Sequence, residues 1–324
     1  MKHLSGEFSA TMETPIRTEN QERRHQIWRS ICRNKYIYLM LLPVIVFMVV
    51  FQYMPMAWLS VSFFDYKLLK GFSGSKFVGL DNYIKFVTSS DFGTVVGNTL
   101  ILNLEQLLIA FPITIIFALL LNEIRRARFK KLVQTVSYLP HFISTVVLVT
   151  MISTILSPSV GVFGAISKAL GQTPAYYLGQ AKYFRTIYIA SGVWQGTGWG
   201  AIIYLSAMTG IDPALYEAAT VDGAGRFRKV WHVTLPGIMG AIMIQLVMQI
   251  GNLMNLGFEK IYLLQNSFNL EVSEVLSTYV YKQGMLNTKF GYSTAASVFN
   301  SIIALILVVT ANKVSKELTN TGLW

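Results

Sequence analysis

Charge is scarce in this sequence. Only 13% of its 324 residues are Asp, Glu, Lys or Arg, while 53% are hydrophobic. A soluble domain carries about a quarter charged residues, so a purely soluble protein is excluded. Cysteine is reduced to Cys32, which rules out an intramolecular disulfide. Its basic N-terminal surroundings suit a reducing compartment. The four histidines, His3, His25, His141 and His232, are scattered without metal-ligand spacing, so no metal site is expected. A Gly-x-x-x-x-Gly-Lys-[Ser/Thr] phosphate loop is missing, so any ATP must be hydrolysed by another chain. An acidic or nucleophilic cluster at the membrane face is missing too, which argues against a membrane enzyme such as a glycan-modifying transferase.

What remains is apolar and unevenly spread. Six stretches approach the roughly 20 residues that cross a bilayer as a helix: 36–64, 97–121, 132–156, 186–208, 237–256 and 292–312. Basic residues concentrate in alternate connections. Arg17, Arg23, Arg24, Arg29, Arg33 and Lys35 precede the first span, and Arg125, Arg126, Arg128, Lys130 and Lys131 follow the second. Arg226, Arg228 and Lys229 follow the fourth, with Lys313 and Lys316 at the end. The positive-inside bias places these segments and both termini in the cytoplasm. It also accounts for the net charge of +11 without invoking nucleic acid. The first span is not a removable signal, because a long polar segment precedes it and no small-residue cleavage pattern follows. Residues 1–34 read as a flexible cytoplasmic extension to a membrane domain over 35–324.

The spans carry polar groups that a simple anchor does not need. Asn98, Asn103, Glu105 and Gln106 lie in the second, and Glu105 is its lone acid. Glu105 is expected either to line a wet path or to pair with a neighbouring subunit. The fourth holds Trp194, Gln195, Thr197 and Trp199 among four glycines; the fifth holds Gln245, Gln249, Asn252 and Asn255. Aromatic rings and amides grip sugars. Trp194, Gln195, Trp199, Gln245, Gln249 and Asn252 are therefore candidates for a cargo path, set against a plain role as helix-packing glue.

The connection after the fourth span is the most informative. Asp212 can cap a helix that starts at Pro213, where the missing N–H costs nothing. Gly223 can end it in a left-handed conformation, and Arg226 to Val233 can form a second short helix that stops before Pro236. Glu217-Ala218-Ala219, then Gly223, then Leu235-Pro236 twelve residues on, resembles the EAA loop of binding-protein-dependent ABC importer permeases. The family pattern has Ile where this chain has Val233. Gly79-Leu80-Asp81-Asn82-Tyr83 and the closing Gly322-Leu323-Trp324 resemble the carbohydrate branch, closest to its polysaccharide-type members. The Gly-Gly-Pro segment of simpler sugar permeases is absent after Leu264.

The resemblance implies an all-α, type I importer permease fold with six transmembrane helices in the bacterial inner membrane. It makes residues 210–236 a coupling loop in which Glu217, Ala218, Ala219, Gly223, Leu235 and Pro236 engage an ATPase. The implied partners are a second homologous permease, two ATPase subunits holding ATP and Mg, and a periplasmic or lipid-tethered solute-binding protein. The implied cargo is a carbohydrate, an oligosaccharide by preference. This chain itself would hold no cofactor. An amino-acid or peptide permease of the same superfamily is the competing reading.

Overall fold

The computed structural model describes residues 33–255 and 257–319. Residues 1–32, with Cys32, His3, His25 and the N-terminal arginines up to Arg29, lie outside that range, as do Leu256 and the closing Gly322-Leu323-Trp324. Two compact units emerge, dividing after Ser60.

The first unit is built around α1, Lys35–Phe63, a helical run whose side chains up to Ser60 are all exposed. Such a surface suits lipid, not water. Pro43 is accommodated within it, and a wide turn, Val49–Tyr53, comes just before Pro55. The Met54 N–H reaches back five residues to the Val49 carbonyl. Proline lacks an N–H and crowds the carbonyl four residues back, so a wider turn relieves that site.

The second unit opens on a small antiparallel pair, β1 (Phe64–Asp65) with β2 (Lys76–Phe77), the one departure from an all-helical chain among the described residues. The short helix α2, Asp81–Val87, holds the pair in place. The Asn82 side chain donates to the carbonyls of Ser62 (2.8 Å) and Phe64 (3.0 Å), and the Tyr83 hydroxyl donates to Ser62 Oγ at 2.8 Å. The stretch 79–83 thus fastens a hairpin at the end of the first span.

Two long helices form the spine, α3 (Phe92–Asn122) and α7 (Ala181–Thr209). Leu102 packs with Phe184, Tyr188 and Ile189, whereas Ala118 packs with Ala201, Tyr204 and Met208. Early residues meet early and late meet late, so the two helices run parallel. Residues 64–91 therefore stand at one end of the bundle and the segment after Thr209 at the other. Between them come α4 (Ala127–Tyr138), α5 (Thr145–Ile155) and α6 (Val162–Ala169). Close packing of α7 on α4 depends on Gly198, where a β-carbon would run into the Ser137 carbonyl.

The expected third span is not straight. Its two halves, Ala127–Phe142 and Thr145–Ile155, bend by 99°. Pro140 tightens the first half into a 3-10 turn, and Ser144 caps the second by accepting from the Val147 N–H. After α7 come α8 (Pro213–Val221), α9 (Arg226–Gly237) and α10 (Met239–Gly251), with a 61° bend between the last two. The helix of the fifth span ends at Gly251, short of the expected 256. Three short helices follow, α11 (Phe258–Leu264), α12 (Leu270–Ser273) and α13 (Leu276–Tyr281), before α14 (Phe290–Thr319). Phe86, Val95, Met254, Leu276, Tyr279 and Ala296 close the core at that end.

Among the described residues three helices are long and apolar enough to cross a bilayer, and five spans result if each bent pair counts as one. Helix α7 has the length, at 29 residues, but not the apolarity, because Lys182, Arg185 and its glycines and amides dilute it.

Candidate coupling site

The hairpin of residues 212–236 is assembled by local rules. Asp212 Oδ1 accepts from the Ala214 N–H at 2.9 Å, and Pro213 takes the first helical position. At the other end Gly223 has φ 73°, and the Ala224 N–H closes on the Ala219 carbonyl at 2.8 Å. This is the left-handed stop that a residue without a β-carbon makes cheaply. Lys229 Nζ donates to Thr220 Oγ1 at 2.6 Å and holds α9 against α8.

One local expectation fails. The second helix does not stop before Pro236. It continues to Gly237 through a wide turn, Val230–Thr234, in which the Leu235 N–H reaches the Val230 carbonyl. Proline is tolerated for the same reason as at Pro55.

Glu217 and Ala218 are exposed on α8, Ala219 is partly covered, and Leu235 and Pro236 lie where α9 nears its bend. Around them sits an apolar surface that the sequence reading did not single out. Val221 is 88% exposed and Phe227 80%, with Leu215 and Trp231 also exposed. Large apolar side chains inside a basic segment were the available signal. All four are exposed on the one hairpin, an apolar surface larger than a solvent-facing loop needs.

The six path candidates are not gathered into one site. Gln195 donates to the Ile143 carbonyl at 3.0 Å, and Trp199 stacks flat on His141 at 4.5 Å. Both are thus engaged with the break between α4 and α5. Asn252 donates back to the Met248 carbonyl at 3.1 Å, and Gln245 is half-buried on α10. Trp194 and Gln249 are exposed, Trp194 beside an apolar groove lined by Ile113, Phe117 and Val136.

Glu105 finds its partner within the chain. Arg185 Nη1 lies 3.4 Å from Glu105 Oε1, and Arg185 Nη2 donates to Asn98 Oδ1 at 3.4 Å. The other polar groups of α3 tie down loops at the same end. Asn98 donates to the carbonyls of Glu271 and Glu274, Asn103 to that of Leu253, and Thr99 Oγ1 accepts from the Leu276 N–H.

Apolar helices, two of the spans sharply bent, with a separately capped hairpin beyond them, define a polytopic membrane protein. The chain belongs to the binding-protein-dependent transport system inner membrane component family, whose pattern matches residues 110–317. It is 42% identical to the polygalacturonan/rhamnogalacturonan transport system permease protein YteP of Bacillus subtilis, over 94% of this chain and 95% of that one. It is 39% identical to protein LplB of the same organism, over 91% and 93% respectively. Among solved structures, a chain of a bacterial alginate ABC transporter, crystallised with an alginate pentasaccharide-bound periplasmic protein, superposes with a TM-score of 0.85. That match has 38% identity and covers 92% of this chain and all of the other. The fold is that of a type I ABC importer permease, and the chain is a transport subunit from a family of inner membrane components, not an enzyme.

Proposed function

We propose that this chain is one half of a permease pair that imports an oligosaccharide containing uronate residues. The observation that carries the reading is the capped 212–236 hairpin with its exposed apolar face. It occurs in a chain 42% identical to a polygalacturonan/rhamnogalacturonan permease and 38% identical to a permease for the acidic polysaccharide alginate.

In this reading the hairpin and both termini are cytoplasmic, because Lys and Arg cluster there. Six spans then follow once α7 is counted, its polar residues facing protein or water instead of lipid. The domain covers 35–324, and residues 1–34 form the cytoplasmic extension. Two ATPase subunits, holding ATP and Mg, grip the α8 helices of this chain and of a second permease. Glu217 pairs with a basic or hydroxyl group in the ATPase cleft while Ala218, Ala219 and the apolar face fill it. Gly223, Leu235 and Pro236 set the angle of the hairpin. Closure on ATP draws the two hairpins together and turns the cavity outward, where a solute-binding protein releases its sugar. Trp194 and Gln249 are the path residues left with free chemistry.

The test is uptake into proteoliposomes holding both permeases, the ATPases and the binding protein. ATP-dependent accumulation of labelled galacturonate oligosaccharides is expected. Accumulation of amino acids or peptides instead, or sugar modification without uptake, would overturn the reading.

A further inference from the structure

At the end of the bundle away from the hairpin, a cleft of about 920 Å³ opens between residues 64–70 and residues 283–292. Its volume falls in the range of small-molecule sites. Tyr66 and Phe290 line it, their rings meeting edge to face at 6.2 Å, and the amides of Gln283 and Asn287 stand on the same wall. Thr288, also on the wall, has φ 54°, a left-handed conformation that a β-branched residue adopts only when its surroundings impose it.

The charges of the cleft do not cancel. Of its lysines, Lys85 is paired with Asp81 at 2.6 Å. Lys67, Lys70 and Lys289 have no ion-pair partner among the described residues. The two acids on the wall are occupied otherwise. Asp65 stands opposite Lys76 across the strand pair and close enough to Lys85 to act on it, and Asp91 faces the Tyr279 hydroxyl. Aromatic rings, two side-chain amides hydrogen-bonded to each other at 3.4 Å and three lysines without an ion-pair partner among the described residues surround one concavity. That set matches an acidic sugar, whose ring faces stack and whose carboxylates need cations. A protein loop would fit the charge but has less use for so concave a site.

We propose that this cleft is a binding subsite for a uronate-containing oligosaccharide, at the end of the membrane spans, where cargo is held at the mouth of the importer. The inference rests on the carbohydrate reading above. Its position favours anionic cargo before any contact deeper in the bundle, because the lysines raise the local concentration of carboxylates.

The experiment measures direct binding of a galacturonate trisaccharide to the assembled importer in nanodiscs without binding protein. A neutral galactose trisaccharide serves as the comparison. Lys67→Gln, Lys70→Gln and Lys289→Gln combined should weaken galacturonate binding on the order of tenfold at low salt and leave the neutral sugar unchanged. Tyr66→Ala should weaken both sugars. Unchanged galacturonate affinity in the triple variant overturns the proposal, as does a wild-type complex that does not bind this sugar. A triple variant that keeps its sugar affinity but, in a parallel pull-down, no longer binds the solute-binding protein also overturns it and makes the cleft a receptor contact. Because the readout is equilibrium binding, it is independent of uptake. An importer that binds the sugar here but accumulates a different solute refutes the transport reading instead.

Discussion

The hydroxyls of Tyr216 and Thr234 lie 3.0 Å apart and join α8 to the wide turn that leads towards α10. Thr234 is almost fully buried. This bond links the first helix of the hairpin directly to the helix that leads into a span. Tyr216→Phe removes it at a cost of ~1 kcal/mol. We expect transport per ATP hydrolysed to fall while ATPase subunits still co-purify, and Thr234→Val to add little once Tyr216 is Phe. Additive losses would show that the two hydroxyls act separately.

At Gly223 the backbone alone should decide the outcome. A β-carbon there meets nothing within 4 Å, yet φ is 73°. Gly223→Asn, which tolerates the left-handed region, should retain most coupling, whereas Gly223→Val should lose transport through strain of roughly 1–2 kcal/mol. Both should insert normally in the membrane. ATPase stimulation by loaded binding protein is the measurement, and equal behaviour of the two variants would contradict it.

Steric crowding, not dihedral strain, governs Gly198. Gly198→Ala pushes a methyl into the Ser137 carbonyl and must part α4 from α7. A loss of about 1–3 kcal/mol is expected, read as a lower unfolding temperature of the complex in detergent. A thermally unchanged variant would mean that the two helices separate freely.

Neutralising the charge pair should be non-additive. Glu105→Gln or Arg185→Gln each leaves an uncompensated charge within the bundle, so each single change should destabilise more than both together. Unfolding temperatures of the four proteins give the comparison. A double variant worse than either single one would indicate that each group serves a separate partner.

Trp194→Ala and Gln249→Ala should each reduce uptake several-fold, since a lost stacking or hydrogen-bonding contact is worth on the order of 1 kcal/mol. Assembly, judged by co-purification, should be unaffected. Full uptake in both would assign the two side chains to packing.

The fold of the 212–236 hairpin was legible in advance because its signals are local: a capping aspartate, a proline at the first helical position and a glycine at the stop. The spans were legible as apolar runs, but their shapes were not. Pro140 and Ser144 bend the third span by 99°, and a hydropathy reading passes over that bend. Arg185 was missed through a boundary one residue late, because a span begun at Thr186 leaves the partner of Glu105 outside. The cleft could not be read at all, since it joins Lys67 and Lys70 to Lys289 across more than two hundred residues of sequence.

The wide turn at Val230–Thr234 has a consequence for spacing. Each residue of a regular helix advances the azimuth by about 100°, and the wide turn absorbs one extra residue without unwinding the chain. The twelve-residue interval from Gly223 to Leu235 therefore holds one residue more than a regular helix of the same reach would need. Deleting one residue between 230 and 234 would restore an ordinary helix of nearly the same reach. The turns on either side would stay in phase, because the extra residue was already absorbed, but the ring of Pro236 would again crowd the carbonyl four residues before it. The cost of the deletion would thus fall on the helix backbone and not on the direction the hairpin faces.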